Sequence, residues 1–107
     1  MIRKGDIRWF RFASPDKRRP VVVLGRDDLL PSLAQVPVVP VSTRIRDLPW
    51  EIVLTEEDGV PESCVVKVEW IRIVERRLLG RRIAAYPERR WSELRAALLH
   101  VLGLDEG

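Results

Sequence analysis

The chain has 107 residues, 46% of them hydrophobic and 33% charged, with one cysteine and one histidine. That size and apolar content suit one domain over residues 1–107 with one core, and they exclude wholesale disorder. No apolar run nears the ~20 residues that cross a bilayer, the charged start Met1-Ile2-Arg3-Lys4-Gly5-Asp6 lacks a signal-peptide core, and Cys64 alone cannot form an internal disulfide. A cytoplasmic protein is therefore expected. The net charge of +3 is unevenly spread: residues 1–50 hold ten Lys and Arg against five Asp and Glu, and residues 51–107 hold nine against eleven. A positive first half suits an anionic ligand such as nucleic acid.

Residues 6–12 are aromatic-rich and partly alternating, which predicts a strand. Residues 13–18 contain Ser14-Pro15-Asp16, which is turn chemistry. Arg19 to Leu24 is apolar after its Arg-Pro start and reads as a buried strand ended by Gly25. Residues 27–34 predict a short helical turn limited by Pro31. Residues 36–43 predict another strand; Pro37 and Pro40 cannot donate to a ladder, so an edge position or bulges are expected. Trp50 to Leu54 reads as a short strand and residues 56–61 as an acidic turn. Ser63 to Val74 is the longest strand candidate. There Val66, Val68 and Trp70 share one parity and Ile71 and Ile73 take the other, so a one-residue bulge near Trp70 would bury all five. Trp91, Leu94, Leu98 and Val101 follow helical spacing, with Pro87 suited to the first turn and Gly103 to the end. The expected fold is mainly β, a strongly curved antiparallel sheet with a C-terminal helix, of the SH3-like small-barrel kind.

The chemistry available is narrow. One histidine excludes a two-histidine acid–base ribonuclease, and His100 sits where a cation suits a helix C-terminus. One cysteine and one histidine argue against a structural zinc site. There is no glycine-rich phosphate loop. Glu56-Glu57-Asp58 lacks metal-ligand spacing and reads as solvated surface. What remains is arginine and hydroxyl. Arg18 and Arg19 follow Lys17 at the mouth of one strand, and Ser42, Thr43, Arg44 and Arg46 end another. A guanidinium offers rigid paired donors to a phosphate, and a hydroxyl can donate to a phosphate oxygen. The plainer alternative is that Arg19 pairs with a carboxylate and Ser42 caps a turn. Arg72, Arg76, Arg77, Arg81 and Arg82, interleaved with Glu69 and Glu75, stay open between phosphate contacts and solubilising surface.

The chain resembles the MazF/PemK-type toxins, endoribonucleases of bacterial toxin–antitoxin pairs. The resemblance rests on collinear pieces: Arg3-Lys4-Gly5-Asp6-Ile7-Arg8-Trp9, Arg18-Arg19-Pro20-Val21-Val22-Val23-Leu24, Val39-Pro40-Val41-Ser42-Thr43-Arg44-Ile45-Arg46, Cys64-Val65-Val66 and Leu102-Gly103-Leu104. It implies an SH3-like barrel of the MazF/CcdB type, a homodimer, and a cognate antitoxin that covers the RNA groove. It also implies sequence-specific cleavage of single-stranded RNA with neither metal nor cofactor. Carried over, the catalytic pair is Arg19 and Ser42. Beside that pair, Lys17, Arg18, Thr43, Arg44 and Arg46 are the candidate RNA contacts, with plain surface solvation as the alternative.

Three departures accompany the resemblance. Ser42 stands where the family usually has Thr, and Thr43 beside it would face the other way in a regular strand. The loop from Ala13 to Arg18 is short. Trp70 replaces a common Gln; an exposed indole there would offer a platform for a base, whereas its parity with Val66 and Val68 favours the core. Two other functions compete: a gyrase-poisoning CcdB-like toxin, which typically ends in Trp-Gly-Ile rather than Leu104-Asp105-Glu106-Gly107, and a catalytically inactive RNA- or partner-binding barrel.

Overall fold

The computed structural model describes residues 1–13 and 17–106. The turn expected at Ser14-Pro15-Asp16 lies outside the described residues. Seven strands, β1 (Asp6–Arg11), β2 (Arg18–Val23), β3 (Gln35–Ser42), β4 (Ile52–Leu54), β5 (Cys64–Val66), β6 (Arg72–Glu75) and β7 (Arg82–Ala85), precede one helix, α1 (Trp91–Val101). All pairs are antiparallel, in the order β4-β5-β3-β2-β1-β7, with β6 also on β3. The sheet curls into a half-barrel closed on one side by α1.

The apolar runs explain the two layers. Successive strand residues point to opposite faces. Val22, Val39 and Val41 therefore join Ile7, Val66, Val68 and Leu94 in the core beneath α1. Val21, Val23, Val36 and Val38 join Phe10, Phe12, Leu30 and Val74 in a second core on the other face. A strand buried on both faces needs apolar residues at every position, which is the continuous run seen in β2 and β3. Leu30, in the 3-10 turn Leu30–Ser32, seals the second core.

Two expectations about β3 and its neighbours are corrected. β3 is central, not an edge: β2 lies along one side, and β5 and β6 share the other. Pro40 sits opposite Val21 and Pro37 opposite Ile73, but the backbone polar groups of each point to the other side, where the neighbouring strand has ended. The Pro37 carbonyl accepts from the Leu24 N–H, just past the end of β2, and the Pro40 carbonyl accepts from the Lys67 N–H, where β5 has ended. No ladder donor is lost at either place.

The interruption in residues 63–74 is larger than one residue. Val66 faces Val41 on β5, but Arg72 faces Val38 on β6. The register has slipped by three residues, which form the 3-10 turn Val68–Trp70. Val68 stays buried, whereas Trp70 is 37% exposed and Ile73 60% exposed. A bulge that buries all five apolar residues is thus ruled out.

The helix begins later than Pro87, which instead precedes the 3-10 turn Glu88–Arg90. Leu94 and Ala97 bury its inner face, and the Trp91 ring packs edge-on against Tyr86 at 4.9 Å. Gly103, in the left-handed region at φ 73°, ends it as expected. β7 has no counterpart among the sequence expectations. The acidic turn does form, as the 3-10 turn Glu56–Asp58 with a reciprocal Thr55–Asp58 capping box.

Candidate functional site

Continuing the β2–β3 register two residues beyond the Val21–Pro40 pair would set Arg19 opposite Ser42. The ladder stops there instead. Past Pro40, Val41 and Ser42 pair with β5, while Arg18 to Pro20 pair only with β1. Pro20, whose position in the register would meet Val41, lacks an N–H, so the strands have less to hold them together there. Where they part, a cleft of about 780 Å³ opens.

Lys17, Arg18, Arg19, Ser42 and Thr43 all line this cleft, with Ile7, Trp9, Val41 and Ile83 as apolar wall. Arg18 is stacked on Trp9, its guanidinium carbon 4.2 Å from the ring centroid. A stacked guanidinium keeps its in-plane donors for a ligand. Among the described residues Arg19 meets no carboxylate; its guanidinium lies 5.6 Å from the Trp70 ring centroid. Ser42 Oγ accepts the Arg44 N–H at 3.1 Å. That is the turn cap of the plainer reading, and it also orients the oxygen while leaving the hydroxyl proton to donate. Thr43 reaches the same cleft because β3 ends at Ser42, so strand alternation no longer turns it away.

Other sequence candidates fall elsewhere. Arg44 and Arg46 stand exposed in the following loop and do not line the cleft. Arg76 donates to the Leu33 carbonyl, Arg77 pairs with Glu75, and Arg82 pairs with the buried Asp6. These three hold or solubilise the fold. Asp58 is engaged by Arg89 and Arg90, and the Thr55 N–H, followed by these charges, holds its carboxyl below the usual range. His100 meets Asp105 at 3.0 Å on the exposed helix end.

Three residues at or near the site were not among the sequence candidates for it. Glu62 is the one carboxylate among the described residues of the cleft wall. Cys64 also lines it, but burial, then Glu62 and Asp58, push its thiol up to about 11. It stays protonated at neutral pH and is no nucleophile. Beneath the site, Lys67 is 1% exposed and pairs with Glu51 and Glu69. Burial opposes charge on both Lys67 and Glu51. Their hydrogen bond and opposite charges, with Glu69 added on the lysine side and backbone N–H groups including that of Arg46 on the glutamate side, together outweigh it, so the Lys67 pKa is raised and the Glu51 pKa lowered. Glu51 also accepts the Arg46 N–H at 2.9 Å. The buried pair therefore tethers the loop that leaves Ser42.

The curled β half-barrel thus gathers, at one strand-end cleft, the guanidinium and hydroxyl donors that a phosphate-bearing chain would need. Comparison with known proteins narrows this. The profile of the PemK-like, MazF-like toxins of type II toxin–antitoxin systems matches residues 3–102. The chain belongs to that family. It is 33% identical over 96 residues to the probable endoribonuclease MazF5 of Mycobacterium tuberculosis, covering 89% of this chain and 87% of the relative. Among solved structures it resembles the M. tuberculosis toxin MazF-mt6, with a TM-score of 0.84, 28% identity, and coverage of 94% and 98% of the two chains. It also resembles a MazE–MazF structure from Deinococcus radiodurans, with a TM-score of 0.81, 26% identity, and coverage of 95% and 96%. No helix among the described residues is long and apolar enough to cross a membrane.

Proposed function

We propose that this chain is the toxin of a type II toxin–antitoxin pair and an endoribonuclease that cuts single-stranded RNA at short sequences. The observation that carries the reading is the convergence of Arg19 and Ser42 on one cationic cleft where β2 and β3 part. Its relatives' name, endoribonuclease, supports the reaction class.

In this reading the substrate provides its own nucleophile. The 2′-hydroxyl attacks the adjacent phosphorus, the bond to the 5′-oxygen breaks, and the products end in a 2′,3′-cyclic phosphate and a 5′-hydroxyl. Arg19 stabilises the charge that builds on the non-bridging oxygens, and Ser42 donates its free proton to one of them. Arginine stays protonated and makes a poor base. Glu62, the one carboxylate among the described residues of the cleft wall, accepts the 2′-hydroxyl proton, and the departing 5′-oxygen takes a proton from solvent. Lys17, Arg18 and Thr43 hold neighbouring phosphates, and Arg44 and Arg46 extend the positive rim along the strand. No step requires a metal or cofactor.

The whole chain, residues 1–107, acts as one domain in the cytoplasm, as a homodimer restrained by a MazE-like antitoxin. The MazE–MazF likeness supports that partner. The gyrase-poisoning alternative is not favoured, because the matched relatives are named for RNA cleavage. The test is to incubate the protein with a long single-stranded RNA in EDTA and map the ends. Discrete recurring cuts are expected; intact RNA together with inhibited gyrase supercoiling would contradict the reading.

A further inference from the structure

A second, smaller hollow of about 150 Å³ adjoins the cleft, lined by Phe12, Arg19, Pro40, Trp70 and Arg72. We propose that it is a subsite in which one nucleobase of single-stranded RNA stacks on Trp70, beside a phosphate held at Arg19. The proposal rests on the ribonuclease reading of the neighbouring cleft.

Trp70 is the starting point. It is the one tryptophan among the large hydrophobics left exposed, at 37%. The three-residue slip between β5 and β6 is what carries it out of the core. The indole is nonetheless fixed in place. Arg19 lies 5.6 Å and Lys67 5.0 Å from its ring centroid, and Lys67 is itself held by Glu51 and Glu69. An aromatic platform held between a buried lysine and a half-buried arginine loses little entropy when a second ring stacks on it.

The rest of the hollow suits a base. The Arg72 guanidinium carbon lies 4.7 Å from the Phe12 ring centroid, so that wall is also planar and cationic. Splayed bases of single-stranded RNA are held by such aromatic and guanidinium planes. The volume suits one planar ring rather than a whole nucleotide. Arg19 lines both cavities. A chain whose phosphate meets Arg19 in the cleft thus has its adjoining base at the mouth of the hollow. Stacking tolerates every base, so the subsite adds affinity and register more than base identity.

The test measures binding of an uncleavable 2′-O-methyl oligomer spanning the mapped cut, or of uridines where no cut maps. Trp70→Ala is expected to weaken binding by about 5- to 100-fold, and Trp70→Phe to recover most of it. An abasic residue at one position should cost the wild-type protein a similar factor and cost Trp70→Ala nothing further. Equal losses for both proteins at every abasic position would overturn the subsite. So would a Trp70→Ala variant that binds normally, or one whose only change is a shifted sedimentation coefficient, which would make the ring a contact between copies. Cleavage is read separately. Failure to cut any RNA sinks the ribonuclease reading, whereas normal cutting with Trp70-independent binding sinks only the subsite.

Discussion

At the residue scale, Arg19 and Ser42 divide the work by charge and by proton. Arg19→Ala should lower kcat by at least about 10²-fold while the fold is kept, as expected for loss of one preorganised donor to a developing charge. Ser42→Ala should lose a comparable factor, and Ser42→Thr should stay active because the oxygen survives. Single-turnover cleavage with a circular-dichroism melt checks both. Cys64→Ser should leave cleavage unchanged, since the thiol is protonated at working pH. Glu62→Gln should lower kcat; cleavage at the wild-type rate would remove Glu62 from the reaction. Arg19 and Ser42 are legible in the sequence because each stands at the end of a patterned run. Glu62 is not, since Pro61-Glu62 sits in a turn with no motif. Trp70 is misleading, because counting parity assumes an unbroken strand and this strand contains a three-residue turn.

At the scale of elements, the site depends on a buried ion pair beneath it. Lys67→Ala should destabilise the protein by about 3–5 kcal/mol, because Glu51 is left buried without its partner. The freed loop should also cost cleavage. A Lys67→Met, Glu51→Leu double variant should recover stability but not the tether to the Arg46 N–H. The pH dependence follows from the signs. The Glu51 and Asp58 carboxyls are held low in the fold, so their stabilisation is full above about pH 4 and is lost as pH falls through their depressed values. Lys67 is held high, so its contribution is lost only as pH rises beyond about pH 10. Urea melts across this range check both limbs. Gly5 is a separate test of the helix seat. Its φ of 88° and a Trp91 ring carbon 2.9 Å from where a Cβ would stand forbid a side chain. Gly5→Ala should cost about 1–3 kcal/mol. The helix is legible from its 3.6-residue stripe. β7 is not, because four residues that include Arg82 hold too little alternation to count.

At the scale of the whole molecule, charge and shape coincide. The basic half of the sequence supplies β2 and β3, whose parting ends form the cleft. RNA affinity should therefore fall steeply with salt, with a log–log slope of about −2 if Lys17, Arg18 and Arg19 each neutralise a phosphate. A titration between low and physiological salt checks the slope, and Arg18→Ala should flatten it. The mainly β class with a C-terminal helix is readable from the shift between period-two and helical spacing. The central position of β3 is not, because two prolines argue for an edge unless the lengths of the facing strands are known. The dimer expected of this family is tested by sedimentation at micromolar concentration, where a single monomeric species would count against it.

The most direct test places wild-type protein and Arg19→Ala side by side on one single-stranded RNA in EDTA and reads the chemistry of the ends. The account predicts discrete wild-type cuts that leave 2′,3′-cyclic phosphates and 5′-hydroxyls, and none from a folded Arg19→Ala. Equal cutting by the variant, or 5′-phosphate ends from the wild type, would contradict it.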